Sequence, residues 1–96
     1  MSEYFKNHKN IQLIRNDLDG YLSIEKEINN IIEDGYASDK VFADKLNQLE
    51  RAINIQYSTL EKHLNDIQFE GHPIELIELY AKDKLKAIQL LESLVA

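Results

Sequence analysis

The chain has 96 residues, of which 44 % are apolar and 29 % charged, and its net charge is −6. This is the size of one domain, residues 1–96, and the composition argues against intrinsic disorder. The chain has no cysteine, which excludes disulfides, thiolate metal sites and a cysteine nucleophile.

The first element is a helix predicted over residues 3–33, because apolar residues recur at alternating three- and four-residue steps. Glu25 occupies one position of this stripe. Gly20 costs about 1 kcal/mol relative to alanine inside a helix. It leaves two alternatives: one long helix, with Asp19-Gly20 as the place where it could bend, or two helices with a turn there. The stripe is close to a coiled-coil seam and contains Tyr4, Ile11, Ile14, Leu18, Tyr21, Ile28 and Ile32.

The second element is a helix predicted over residues 39–68, after a loop in which Gly35 suits the left-handed position that closes a helix. A strict heptad would place Gln56 and His63 on its apolar stripe. A shift of one residue would place Tyr57 and Leu64 there instead, which is a local stutter in the pattern. The other stripe residues are Phe42, Leu46, Leu49, Ile53, Leu60 and Ile67.

The third element is a helix predicted over residues 73–94, with Pro73 in its first turn and His72 as its N-cap. Because both loops are short, neighbouring helices should be antiparallel. The expected fold is therefore an all-α, up-down-up antiparallel three-helix bundle with two long helices and one shorter one. Part of the long hairpin should project beyond the third helix, and self-association, most simply as a dimer, would cover its apolar stripe.

Sequence motifs for catalysis are absent: there is no phosphate-binding glycine loop, HExxH, EF-hand loop or GxSxG. We therefore expect no enzymatic activity and no cofactor. Antiparallel packing should bring His8, His63 and His72 to one end of the bundle, near Glu3, Glu61, Asp66 and Glu70. No two of these histidines have ligand spacing within one helix, so we predict no metal site. Because all three are expected at one end of the bundle, metal binding at that end is the point to test.

Acidic residues concentrate between residues 16 and 39, where Lys26 is the only basic side chain. Glu33 and Asp34 fall at a helix C-terminus, where negative charge is unfavourable. Such a choice against local stability indicates a functional surface. A solvated acidic face is the competing interpretation, and Tyr36 could anchor a partner or cover the bundle end. The predicted protein-binding residues are Glu25, Glu27, Glu33, Asp34, Tyr36 and Asp39.

The function expected from these features is that of a non-catalytic interaction module, of the immunity, inhibitor or chaperone type, which binds a partner protein with a basic surface. One alternative is a self-associating structural hairpin. A weaker one is DNA mimicry or nucleic-acid binding, the latter through the basic N-terminal residues Lys6, His8, Lys9 and Arg15. The N-terminus has no apolar signal segment and no run approaches about 20 apolar residues, so we expect no membrane association and a cytoplasmic location.

Overall fold

The computed structural model describes the backbone of residues 3–35 and 40–95, and the side chains of residues 8–35 and 40–95. Four helices follow one another: α1 (Glu3–Glu33), α2 (Lys40–Asp66), α3 (Pro73–Lys82) and α4 (Lys84–Val95). No strand occurs in these residues. The all-α prediction is therefore confirmed. The three-helix bundle is not confirmed, because four helices are present and the predicted third helix is divided into α3 and α4.

Asp83 is the residue that separates α3 from α4. Its backbone is non-helical, with φ −146° and ψ 87°, and its N–H donates to Leu79 O at 2.7 Å. Its side-chain Oδ1 accepts from Lys86 N at 3.1 Å, as an N-cap does. One residue thus ends a helix and caps the next. The apolar stripe changes phase across it, so Leu85 is 65 % exposed whereas Leu91 is fully buried.

Gly20 lies inside α1, which runs without interruption from Glu3 to Glu33. Of the two alternatives for this segment, the single helix is correct. A Cβ at Gly20 would lie 2.7 Å from Gln56 Oε1. The glycine therefore permits the close approach of α2 to α1 and forms no turn.

The two helix ends that lead into loops both use a left-handed residue. Gly35, with φ 76°, closes α1 as predicted. Helix α2 ends at Asp66, before the predicted residue 68, and its left-handed residue is Gln68, with φ 58°. Phe69 N–H donates to Leu64 O and Gln68 N–H to Asn65 O, both at 3.0 Å, which is the Schellman pattern of helix termination.

The start of α3 follows the prediction. His72 is the N-cap, and its Nδ1 accepts from Ile74 N at 3.1 Å. Pro73 is the first helical residue, where its missing N–H is not needed.

The core lies at one end of an elongated molecule measuring 52 × 24 × 19 Å. Helix α2 runs back along α1, with the Tyr21 and Tyr57 ring centroids 6.3 Å apart. We call residues 8–22 and 57–67, together with α3 and α4, the four-helix end. It contains the buried apolar cluster Ile11, Ile14, Leu18, Leu60, Leu64, Ile67, Leu76, Ile77, Tyr80, Ala87 and Leu91.

The rest of the hairpin, residues 23–35 and 40–56, is the two-helix end. Among its described side chains Ile31 is the one buried apolar residue. The remaining seam residues are half-buried, because two helices alone cannot enclose a seam; they are Ile24, Ile28, Phe42, Leu46, Leu49 and Ile53. The hairpin thus extends beyond α3 and α4, as the helix lengths predicted.

Candidate functional site

Four of the predicted binding residues lie in the described part of α1 and the turn that follows it: Glu25, Glu27, Glu33 and Asp34. We call them the acidic edge. Within the described residues none of them forms an ion pair, and the last turn of α1 contains no basic residue. Glu33 and Asp34 are exposed. Their charges add to the negative end of the helix dipole without compensation.

Glu25 differs from the other three because it is half-buried at the seam between α1 and α2. Burial, and then the charges of Glu25 and Tyr57, raise the pKa of Tyr21. Glu25 therefore faces the tyrosine pair, whereas Glu27 is exposed. Three of the four predicted carboxylates, those of Glu27, Glu33 and Asp34, are exposed, and the fourth lies at the seam.

Apolar side chains lie beside the exposed acids at this end of the hairpin. Ile32 is 52 % exposed and Val41 is 73 % exposed, whereas Ile31 is 7 % exposed. The sequence prediction placed Ile32 on the buried stripe, and this is wrong, since Ile31 occupies the inward position. Tyr36 and Asp39 lie outside the described residues, so their predicted roles stay predictions.

On the α2 side of the two-helix end, basic side chains slightly outnumber acidic ones. Lys40, Lys45 and Arg51 are exposed there, with the acids Asp44 and Glu50 between them. Among the described residues, acidic side chains therefore outnumber basic ones on the α1 side, whereas basic side chains slightly outnumber acidic ones on the α2 side. A partner that recognises negative charge would therefore have to contact the α1 side of the hairpin.

The histidines do not come together as a ligand set. His63 Nδ1 donates to Asp17 Oδ2 at 2.5 Å, and His72 caps α3. His8 is exposed, and the side chain of Glu3 lies outside the described ones. In the described part of the chain no three His, Cys, Asp or Glu side chains are arranged to hold a metal ion.

A buried polar bridge joins α1 to α2 at the position where the heptad register was ambiguous. Asp17 is only 6 % exposed. Its Oδ1 accepts from Gln56 Nε2 at 3.0 Å, and its Oδ2 accepts from His63. Gln56 and His63 thus share one carboxylate at the seam, while Leu64, which the shifted register placed on the stripe, is buried in the core. Two polar residues seven apart on an apolar seam, opposite an aspartate, were the signal that sequence reasoning missed.

This bridge ties α1 to α2 in one register. A single buried polar contact on a seam fixes register, because any slip leaves it unsatisfied. Among the described residues no hydroxyl group is bonded to His63.

A second polar contact ties α3 to α1. The Tyr80 hydroxyl donates to Asp19 Oδ1 at 2.6 Å. Burial, then the hydrogen bond and charge of Asp19, raise the pKa of Tyr80 to about 12, and Arg15 opposes the shift. Arg15 belonged to the basic set proposed for nucleic acid. It is half-buried beside Tyr80, which leaves it poorly placed to contact phosphate.

Comparisons with known protein families, curated proteins and solved structures find no match to this chain. No helix in the described ranges is long and apolar enough to pass through a bilayer. The function has to be inferred from the acidic edge and the apolar side chains next to it.

Proposed function

We propose that this chain is a non-catalytic, acidic, helical protein-interaction module. It binds a partner protein with a basic surface, as proteins of the immunity, inhibitor and secretion-chaperone types do. The binding surface is the acidic edge, extended by Tyr36 and Asp39. The observation that carries the proposal is that the exposed carboxylates of α1 have no ion-pair partner within the described chain and lie beside exposed Ile32.

The absence of compensation supports binding more than stability. Glu33 and Asp34 act against the dipole of α1, by about 0.3–1 kcal/mol each. A basic partner would relieve this repulsion on binding. The same charges would accelerate encounter at low salt, with a rate that falls as ionic strength rises.

Exposed apolar side chains would supply the contact that charge alone does not. Charge pairs at the rim of an interface mainly set the association rate and specificity, whereas buried apolar groups supply most of the affinity. Ile32 and Val41 extend from the end of the hairpin that carries Glu33 and Asp34. A partner with a shallow apolar patch surrounded by lysine or arginine fits this arrangement.

The test is affinity capture from the native host with mass spectrometry, followed by binding measurements on the captured partner. The double variant Glu33→Lys, Asp34→Lys should lower the association rate about tenfold or more at low salt. It should also stabilise the fold slightly, because the new charges suit a helix C-terminus.

The matched control is Asp44→Lys, Glu50→Lys, which makes the same change in net charge on the exposed face of α2. This control should leave binding nearly unchanged. Equal losses from both double variants would mean that only total charge matters. Unchanged binding by the α1 variant at low salt would show that the acidic edge is a solubility feature.

The second candidate function is self-association of the hairpin. The observation that favours it is the half-buried seam of the two-helix end, including Leu46 and Ile53. Two copies packed seam to seam would cover these half-buried side chains. Light scattering on the pure protein separates the candidates, since a monomer at high micromolar concentration rules out assembly as the function.

A further inference from the structure

A second surface lies at the other end of the molecule, where α3 and α4 diverge. There the two helices and residues 69–71 enclose a groove of about 360 Å³. The 27 residues of α2 separate it from the acidic edge, a distance of roughly 40 Å. Its apolar walls are formed by Phe69, Leu76, Leu79, Leu90 and Leu94.

The inner wall of the groove belongs to the buried core, whereas its outer wall is exposed to solvent. Leu76 is 2 % exposed and belongs to the core, whereas Leu90 and Leu94 are 41 % and 44 % exposed. Phe69 packs partly against the core, and a Cβ at Gly71 would lie 2.7 Å from its ring. Gly71 therefore allows the ring to lie against the loop and form one wall of the groove.

The charged side chains that line this region are all acidic. Glu70 and Glu75 line the groove. A polar hollow of about 220 Å³ adjoins it, shares Phe69 and Gly71 with it, and is lined by Glu61 and Asn65. No lysine, arginine or histidine lines either depression in the described residues. The three glutamates form no ion pair there.

We propose that this groove binds a basic amphipathic helix of a partner protein. Its volume is at the low end of the roughly 300–1,000 Å³ of small-molecule pockets, and it suits about two apolar side chains. A helix presents these at i and i+3 or i+4, and its other face carries the lysines or arginines that Glu61, Glu70 and Glu75 attract. An extended peptide would leave its backbone N–H groups unpaired against the apolar walls, which disfavours that mode.

This surface is separate from the acidic edge, and its occupancy does not depend on the proposed function there. The two surfaces share a preference for positive charge. They differ in that the groove adds a preformed apolar site, which selects for the spacing of anchors as well as for charge.

The probe is a synthetic helical peptide of leucine and lysine, with leucine at i, i+3 and i+4 positions. Titrated into isotopically labelled protein, it should shift the amide signals of residues 69–79 and 90–95. A peptide of the same composition in scrambled order, and one with glutamate in place of lysine, should each bind about tenfold more weakly or worse. Equal binding of either control, or no binding of the probe at high micromolar concentration, overturns the proposal.

Variants at exposed positions test the location. Leu90→Lys and Glu75→Lys should each weaken binding of the probe by about tenfold. Leu85→Lys lies on α4, as Leu90→Lys does, but outside the groove, and should leave binding of the probe unchanged. Glu33→Lys, Asp34→Lys should also leave it unchanged, which separates this proposal from the function of the acidic edge. If that double variant abolishes probe binding while Leu90→Lys and Glu75→Lys retain it, the peptide binds at the acidic edge and the groove proposal is wrong.

Discussion

The two ends of the hairpin use the same helices in different ways. At the four-helix end Leu18 and Leu60 are fully buried, since α3 and α4 enclose the seam. At the two-helix end equivalent seam residues such as Leu46 and Leu49 are only half-buried. The seam between α1 and α2 is therefore enclosed over half its length and only half-buried over the other half. Stability should come from the first half, and the acidic edge lies on the second.

The largest expected effect separates the two ends along α2. Leu60→Ala should destabilise the protein by about 3 to 5 kcal/mol, because it removes a wholly enclosed side chain and leaves a cavity. Leu49 lies on the same helix but is half-buried, so Leu49→Ala should lower the free energy of unfolding by only about 1 to 2 kcal/mol. Urea unfolding monitored by circular dichroism measures both. Equal losses would contradict the division into a core end and a surface end.

The next effect concerns pH and is confined to the four-helix end. The pKa of Tyr80 is raised from 10.0 to about 12, so the folded state holds this proton more tightly than the unfolded chain. The resulting stability is present below pH 10 and is lost as pH rises toward 12. With about 1.4 kcal/mol per pKa unit, about 2 to 3 kcal/mol is at stake.

Tyr80→Phe should flatten this alkaline loss while lowering stability at neutral pH by about 1 to 2 kcal/mol, because the hydrogen bond to Asp19 is gone. Tyr57→Phe is the control and should keep the alkaline loss. Urea unfolding between pH 9 and 12, with tyrosinate absorbance followed in parallel, measures both variants. An unchanged slope in Tyr80→Phe would assign the loss to another group.

The smallest effect lies at the junction of the two ends, at Gly20. Alanine gains about 1 kcal/mol over glycine inside a helix. Here its Cβ would meet Gln56 Oε1, which lies 2.7 Å away, and would push the amide off Asp17. We expect a net loss of about 1 kcal/mol, since a buried carboxylate loses one of its two donors.

A double-mutant cycle decides the cause. In a Gln56→Ala background the same Gly20→Ala change should stabilise the protein by about 0.5 to 1 kcal/mol, because the obstacle is gone. Stabilisation in the wild-type background would show that Gln56 moves aside without cost.

Local signals in the sequence predicted much of the fold. Gly35 at the end of α1 and Pro73 at the start of α3 each depend on a few neighbouring residues, and both predictions were correct. The apolar period of α1 predicted the helix itself, but it placed Ile32 on the buried side, where Ile31 lies. Gln68 was missed, because a non-glycine residue in the left-handed region is held there by Phe69 packing against the core and not by its own preference. The break at Asp83 was missed for a similar reason, since Lys-Asp-Lys resembles the exposed face of a continuing helix.

The site was less predictable than the fold. The sequence identifies the acids on α1. Their exposure depends on how α1 is rotated about its own axis relative to α2, and no local pattern determines that rotation. Ile31 and Ile32 are adjacent and chemically identical, yet one is inside and one outside. In the sequence Asp17 is one of several acids between residues 16 and 39, and only the approach of α2 makes it a buried acceptor.

The single-residue corner at Asp83 means that the chain should tolerate insertions very unevenly. A residue added between α3 and α4 would lengthen a one-residue junction and shift α4 relative to α3. Ala87 and Leu91 would leave the core, and Leu90 and Leu94 would leave the groove with them. The segment between Glu33 and Lys40 joins two helices whose seam is only half-buried, so a spacer or a tag inserted there should leave the four-helix end folded.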